Sequence, residues 1–315
     1  VAGPRIKLRV PFCRSPAMRA ASPLVLAATL LAACASTPEV KAPVSVVASS
    51  APPVKVGIAL GGGAAKGFAH VGVIRVLEQN GIVPDIITGT SAGSIVGAIY
   101  ASGVDGEALR YRALRINESD LRDFTFSTSG FLKGEKLAAM VNQQVDGKKI
   151  EQLSRRFGAV VTDLDSGARV VLKSGDTGTA VRASAASPNV FQPVTINGRR
   201  YVDGGLTSPV PVIAAREMGA DIVIAVDISA KPTGKSALGF LSLLDQSLNI
   251  MSQAALTQEL KQANVTLRPR VLHIGSADFD ERGAAMLEGE KVAREGLPVI
   301  RQAIERWATA RSAAK

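Results

Sequence analysis

Cysteine is nearly absent from this chain. Its 315 residues hold two, Cys13 and Cys34. Both precede the region whose patterning looks folded, so neither a disulfide framework nor a cysteine-based metal site is expected. Histidine is equally scarce. His70 and His273 are too few and too scattered for a metal cluster. Aromatic residues make up 4% of the chain, and no Lys/Arg run or basic face interleaved with aromatics appears. Nucleic-acid binding is therefore not expected, despite a formal net charge of +10. Acids are missing from the front: none precedes Glu39, whereas Arg5, Lys7, Arg9, Arg14 and Arg19 are basic. Without everything before Cys34, 32 basic residues face 27 acidic ones, a mild excess that suits an anionic lipid surface.

What the front does contain reads as an address. Met18-Arg19 opens a short basic region, with Met18 read as the natural start. Leu24 to Ala33 is apolar except for Thr29. That run falls short of the about 20 residues a membrane-spanning helix needs, but fits the apolar core of a signal peptide. It ends in Leu31-Ala32-Ala33-Cys34, which resembles the lipobox of bacterial lipoproteins. The alternatives are an ordinary signal peptide cleaved near Ala33 or a chance apolar run. The resemblance implies lipidation of Cys34 after removal of residues 1–33. With Ala35 and Ser36 next and no Asp beside the Cys, it also implies the outer membrane. Residues 34–53, rich in Ala, Ser, Pro and Val, read as a tether. A single α/β domain is expected over 54–315.

Strand and helix patterns alternate from there. Val54 to Leu60 reads as a buried strand and Lys66 to Asn80 as a helix closed by Gly81. A second strand is expected over Pro84 to Thr88 and a second helix over Ser94 to Ser102. Residues 105–155 read as mostly helical, broken at Ser127 to Gly130. Paired strands are expected at Phe157–Thr162 and Arg169–Leu172, a helix at Thr177–Ala186, and a hairpin over Asn197-Gly198. Then come a helix at Val210–Met218, a strand at Asp221–Val226, a long helix at Leu238–Gln262, and a last strand at Val271–Ile274. Glu281 to Ala308 reads as a final helix or helix pair interrupted around Gly296-Leu297-Pro298.

Three motifs carry chemistry. Gly89-Thr90-Ser91-Ala92-Gly93 is a G-x-S-x-G between an expected strand and an expected helix. A serine on that sharp turn has its Oγ held out at the sheet edge. Gly89 and Gly93 keep side chains out of the turn, and the helix N-terminus favours developing negative charge. Gly61-Gly62-Gly63-Ala64-Ala65-Lys66-Gly67 is the second. Lys66 is followed by Gly67 rather than Ser or Thr, so a P-loop fails. Lys66 also stands where a dinucleotide fingerprint needs its third glycine. An oxyanion hole survives, beside the plain alternative of close strand–helix packing. Asp203-Gly204-Gly205 is the third, and taken alone it reads as a turn.

Taken in order, GGGAAKGFAHVGV, GTSAG and DGG resemble the patatin-like phospholipases, especially bacterial single-domain members. VRASAASPNVFQPV ahead of Asp203 resembles the same family, and the likeness covers roughly Val54 to Ser229. It implies a three-layer α/β/α fold with a mostly parallel central sheet. It also implies a Ser–Asp dyad that hydrolyses phospholipid or other acyl-ester lipids through an acyl-serine, with no metal or cofactor. Ser91 would be the nucleophile and Asp203 the base. The N–H groups of Gly62, Gly63 and Ala64 would form the oxyanion hole, and Gly204 and Gly205 would complete the DGG motif. The family often has glycine at the position of Ala64 and arginine at that of Lys66. Ala64 is expected to hold its backbone at negative φ.

Two other functional readings stay open. Ser91, Asp203 and His273 stand in the chain order of an α/β-hydrolase triad. A lipoprotein that binds lipid or a partner without turnover is the other. His70 is expected to pack near the glycine loop. Residues 105–135, with Phe124, Phe126 and Phe131, are read as either a mobile cap or ordinary helix packing.

Overall fold

A computed structural model describes residues 53–116, 119, 132–188, 190–229 and 240–313. Strand β1, Val56–Leu60, is buried along its whole length. It runs into the glycine loop, a short 3₁₀ turn at Ala64–Gly67, and helix α1, Phe68–Gln79. Strand β2 spans Ile86–Thr90 and α2 spans Ala92–Ala101, so Ser91 alone separates strand from helix. Helices α3 (Gly106–Ala113) and α4 (Glu135–Gln144) follow. Next come β3 (Arg156–Asp163), β4 (Arg169–Leu172), α5 (Thr177–Ser184), β5 (Val194–Ile196) and β6 (Arg199–Asp203). Helix α6 is Val212–Glu217, β7 is Ile222–Val226, α7 is Phe240–Lys261, β8 is Val265–Leu267 and α8 is Arg282–Ala313.

The strands form one sheet in the order β5-β6-β3-β2-β1-β7-β8, with β4 pairing β3 off that path. β3, β2, β1, β7 and β8 are mutually parallel, and β4, β5 and β6 make the antiparallel part. Apolar runs such as Val-Gly-Ile-Ala-Leu in β1 and Ile-Val-Ile-Ala-Val in β7 need cover on both faces. On one face Ile58, Leu60 and Ile224 pack into a cluster with α1, α2 and α8. On the other, Ala59, Ile86 and Val223 pack with α6 and Leu256 of α7. This is a three-layer α/β/α domain with a mostly parallel sheet. The chain leaves β1 toward β2 on one side and pairs β7 on the other, so the crevice at the carboxyl end of β1 is the place such sheets offer for a site.

The hairpin between β5 and β6 turns at Asn197 (φ 51°) and Gly198 (φ 77°), both positive as a two-residue type I′ turn requires. Three expectations need correction. Val271–Ile274 is not a strand. It is a turn closed by the Ile274 N–H on the Val271 carbonyl at 3.0 Å, with both apolar side chains buried. The last strand is β8, only three residues long. Finally, α8 runs unbroken through Pro298. Its buried stripe of Ala285, Met286, Gly289, Ala293 and Ile300 outweighs the local cost of the proline.

The signal peptide, Cys34 and the tether up to residue 52 lie outside the described residues. So do Phe124, Phe126 and Phe131 of the cap region. No helix among the described residues is long and apolar enough to cross a membrane.

Candidate active site

Ser91 sits where β2 breaks directly into α2. Its backbone has φ 52° and ψ −120°, a region that costs a non-glycine residue about 1–3 kcal/mol and is kept only where the surroundings enforce it. They do so on both sides. The Ser91 N–H donates to Ser184 Oγ at 3.0 Å, and Ser184 in turn donates to the Val160 carbonyl at 2.6 Å. The Ser91 carbonyl accepts the Ser94 N–H at 2.8 Å and the Ser94 hydroxyl at 2.6 Å. The flanking glycines are required by close approach. A Cβ on Gly93 would lie 2.1 Å from the Leu60 carbonyl oxygen, and one on Gly89 would lie 2.4 Å from that of Gly93.

Asp203 ends β6 beside Val161 of β3. Its N–H donates to the Ala186 carbonyl at 3.0 Å, and its carbonyl accepts the Thr162 hydroxyl at 2.9 Å. The carboxylate Oδ1 receives the Gly205 N–H at 2.8 Å, and Ser91 lines the same cavity as Asp203. Burial pushes this carboxyl up to about 6, against the pull of the Gly205 N–H and the Ser91 hydroxyl. A carboxylate so placed is a proton acceptor tuned toward neutral pH.

The glycine loop leaves β1 facing the elbow. The Gly61 N–H goes to the Val226 carbonyl at 3.1 Å, and the Gly62 N–H goes to the Pro209 carbonyl at 3.0 Å. Gly62 is thus corrected as an oxyanion donor: its N–H is already bound. A Cβ there would lie 3.4 Å from that of Ser91, an ordinary van der Waals contact. Among the described residues, the N–H groups of Gly63 and Ala64 meet no acceptor, and both residues line the cavity beside Ser91. Ala64 has φ 50°, against the expectation of a negative value. The turn into Ala64–Gly67 imposes it.

His70 is fully buried and holds the loop from behind, its Nε2–H donating to the Gly61 carbonyl at 2.8 Å. Burial pushes its pKa down to about 4, so the ring is neutral at ordinary pH and does not reach the cavity. His273 is not with Ser91. It lines a separate cleft with Asp227, Arg268 and Arg270.

The cavity holding Ser91 and Asp203 measures about 710 Å³, within the roughly 300–1,000 Å³ of small-molecule sites. Ser91 at the cap of α2 and Ile95 and Ile99 within it line the cavity at steps of four residues, together with Leu109, Leu137 and Met140. Among the described residues, the ionisable ones that line it are Lys66 and Asp203. Such walls suit a hydrocarbon chain whose polar end stops at Ser91.

Two contributors were not assigned from sequence. Ser184 lies in the VRASAAS stretch, but nothing in one sequence shows that its hydroxyl faces the Ser91 amide. Glu259, in a polar stretch of α7, is 2% exposed and accepts the Ser208 hydroxyl and the Ile213 N–H.

A nucleophile elbow and a facing glycine loop at the carboxyl end of a parallel sheet define a serine-hydrolase type of site. Comparison with known proteins narrows this. The family described as patatin-like phospholipase matches residues 58–216, and the chain belongs to that family. An uncharacterized NTE family protein of Mycobacterium tuberculosis is 37% identical over 188 residues, covering 59% of this chain and 52% of that protein. A lysophospholipase of Coccidioides immitis, NTE1, is 30% identical over 239 residues, covering 72% of this chain and 15% of that one. The chain spans about half the length of the mycobacterial relatives it matches. Among solved structures, VipD from Legionella pneumophila superposes with a TM-score of 0.54 at 15% identity, covering 79% of this chain and 68% of that one. That likeness concerns the fold.

Proposed function

We propose that the protein is a lipid acyl hydrolase of the phospholipase A or lysophospholipase type, working through a Ser91–Asp203 dyad. The observation that carries this is that Ser91, held on the strand-to-helix elbow, and a desolvated Asp203 carboxyl line one largely apolar cavity.

A serine hydroxyl attacks an ester only when a base takes its proton. Asp203 takes that proton as Ser91 Oγ bonds to the acyl carbon. The carbonyl oxygen becomes an oxyanion facing the N–H groups of Gly63 and Ala64 and the N-terminus of α2. On collapse, the bond to the leaving alkoxide breaks and Asp203 returns the proton to it, leaving acyl-Ser91. Water then gives a proton to Asp203 and attacks the same carbon. Ser91 Oγ leaves, recovers the proton, and the fatty acid is freed. Family membership and the lysophospholipase among the relatives support a lipid ester as substrate. The Leu-Ala-Ala-Cys sequence supports a further part of the proposal: lipidation at Cys34 anchors the 54–315 domain to the bacterial outer membrane through the 34–53 tether.

The test is a panel of phospholipids, lysophospholipids and short-chain esters offered to the purified chain and to Ser91→Ala. Hydrolysis lost in a folded Ser91→Ala protein supports the proposal. Equal hydrolysis by both proteins overturns it.

A further inference from the structure

The segment from Ser208 to Ile213 joins the Asp-Gly-Gly turn to α6. It lends three carbonyls to the strands in front of it. Ser208 O accepts the Thr90 hydroxyl at 2.8 Å, Pro209 O accepts the Gly62 N–H at 3.0 Å, and Pro211 O accepts the Thr88 hydroxyl at 2.8 Å. Thr90 precedes Ser91 and Gly62 precedes Gly63. The placing of this one segment therefore fixes how the free N–H groups of the glycine loop stand to the nucleophile.

The segment is buried, with Val210 and Val212 in the core and the Ser208 N–H on the Gly204 carbonyl at 2.8 Å. Pro209 and Pro211 have no N–H to donate. A single carboxylate from a different helix also grips both ends. Glu259 reaches in from α7, one oxygen accepting the Ser208 hydroxyl and the other the Ile213 N–H at 2.7 Å. It is 2% exposed. Apolar packing of similar volume is often no less stable than a buried charged pair or network, so stability gives little reason for a carboxylate here. Accepting two donors at once from opposite ends of a segment does.

We propose that Glu259 is a positioning residue for acyl transfer: by clamping Ser208 to Ile213 it sets the glycine loop against Ser91. This rests on the hydrolase reading of the same site. Glu259 touches neither substrate nor reacting atoms, so its effect belongs in turnover rather than in binding.

The test uses the full chain with Glu259→Ala, Glu259→Gln and Ser208→Ala. It reads kcat and KM on a short-chain ester together with hydrogen exchange of the peptide covering Gly61–Gly67. Misplaced machinery costs up to about a hundredfold in rate. Glu259→Ala is expected to lower kcat by about 10–100-fold with KM within about threefold, and to speed exchange in the glycine-loop peptide while α8 keeps its protection. Glu259→Gln is expected to restore most of the rate, since its amide accepts from Ile213 and donates to Ser208. Ser208→Ala is expected to fall between. Should Glu259→Ala not fold, Glu259→Gln and Ser208→Ala decide alone. Wild-type kcat and wild-type exchange in Ser208→Ala overturn the clamp, as does an equal loss of kcat in the Gln and Ala variants. If the wild-type chain shows no Ser91-dependent hydrolysis, the hydrolase reading fails and this role falls with it. Unchanged glycine-loop exchange beside normal wild-type hydrolysis overturns the clamp alone.

Discussion

The backbone N–H of Ser91 donates to the hydroxyl of Ser184 at 3.0 Å. Two residues further on, the Ala186 carbonyl accepts the Asp203 N–H at 3.0 Å. The end of α5 therefore holds Ser91 and Asp203 by their main chains, although 112 positions separate them in sequence. The short stretch Ser184-Ala185-Ala186 acts as a jig: it fixes the main chains of Ser91 and Asp203 relative to one another, and it supports the unusual φ of Ser91.

Asp203 and His70 should draw stability with pH in opposite senses. Asp203 holds its proton more tightly folded, about 6 against 3.8. The stability this gives is complete below 3.8 and is lost as pH rises through about 6, on the order of 3 kcal/mol at most. Asp203→Asn is expected to be more stable than wild type at pH 8, with the gap closing toward pH 4. His70 is the reverse, about 4 folded against 6.5. Its stability is present above 6.5 and is lost as pH falls through about 4, so His70→Gln should soften acid unfolding. Urea unfolding midpoints across this range check both. A gap that widens on acidification for Asp203→Asn would contradict the assigned burial.

The same value places the acid limb of the hydrolysis profile near pH 6, because Asp203 must be ionised to accept a proton. An imidazole base would give a limb only slightly higher, about 6.5. Dyad and triad are therefore separated by variants rather than by the profile. A kcat/KM limb at or below pH 4 would show that Asp203 is not desolvated in the free enzyme.

On the proposed function, the wall of α2 would set a depth for the acyl chain. Ile99 lies two helical turns behind Ser91 and lines the cavity together with Leu109. Ile99→Trp is expected to lower kcat/KM on long-chain esters by on the order of tenfold or more while sparing butyrate esters, as losing space for a methylene or two would do. Chain-length profiles of the two proteins check this. Parallel losses on all chain lengths would place the acyl chain elsewhere.

Anchoring is tested at Cys34. Cys34→Ser is expected to move the protein from the outer-membrane fraction to the soluble one, since stable anchoring depends on several acyl chains together. Retention in the membrane after a salt wash would mean that something other than lipidation holds it.

Much of this molecule is legible in its sequence because the informative signals are local. The apolar runs of β1 and β7, the glycines that end them, and Asn197-Gly198 each follow from steric preferences of a few residues. What was not legible depends on partners far along the chain. Val-Thr-Leu at 265–267 is a strand only because β7 offers an edge, whereas Val271 to Ile274 has strand-like composition and folds as a turn. Pro298 looks like a break until the stripe facing α1 is seen. The Ser–Gly motif marks Ser91. That Gly62 spends its N–H on Pro209, that Ser184 holds the elbow, and that Glu259 is buried are tertiary facts without a local signature.

The most direct measurement is intact-mass and peptide mapping after treatment with a fluorophosphonate, which phosphonylates an activated serine with loss of fluoride. Four folded proteins are compared: wild type, Ser91→Ala, Asp203→Asn and His273→Asn. The dyad predicts an adduct on Ser91 in wild type and in His273→Asn at similar rates, none in Ser91→Ala, and labelling slowed by about 10²–10⁴-fold in Asp203→Asn. A full adduct in Asp203→Asn with none in His273→Asn would contradict the account and make the imidazole the base.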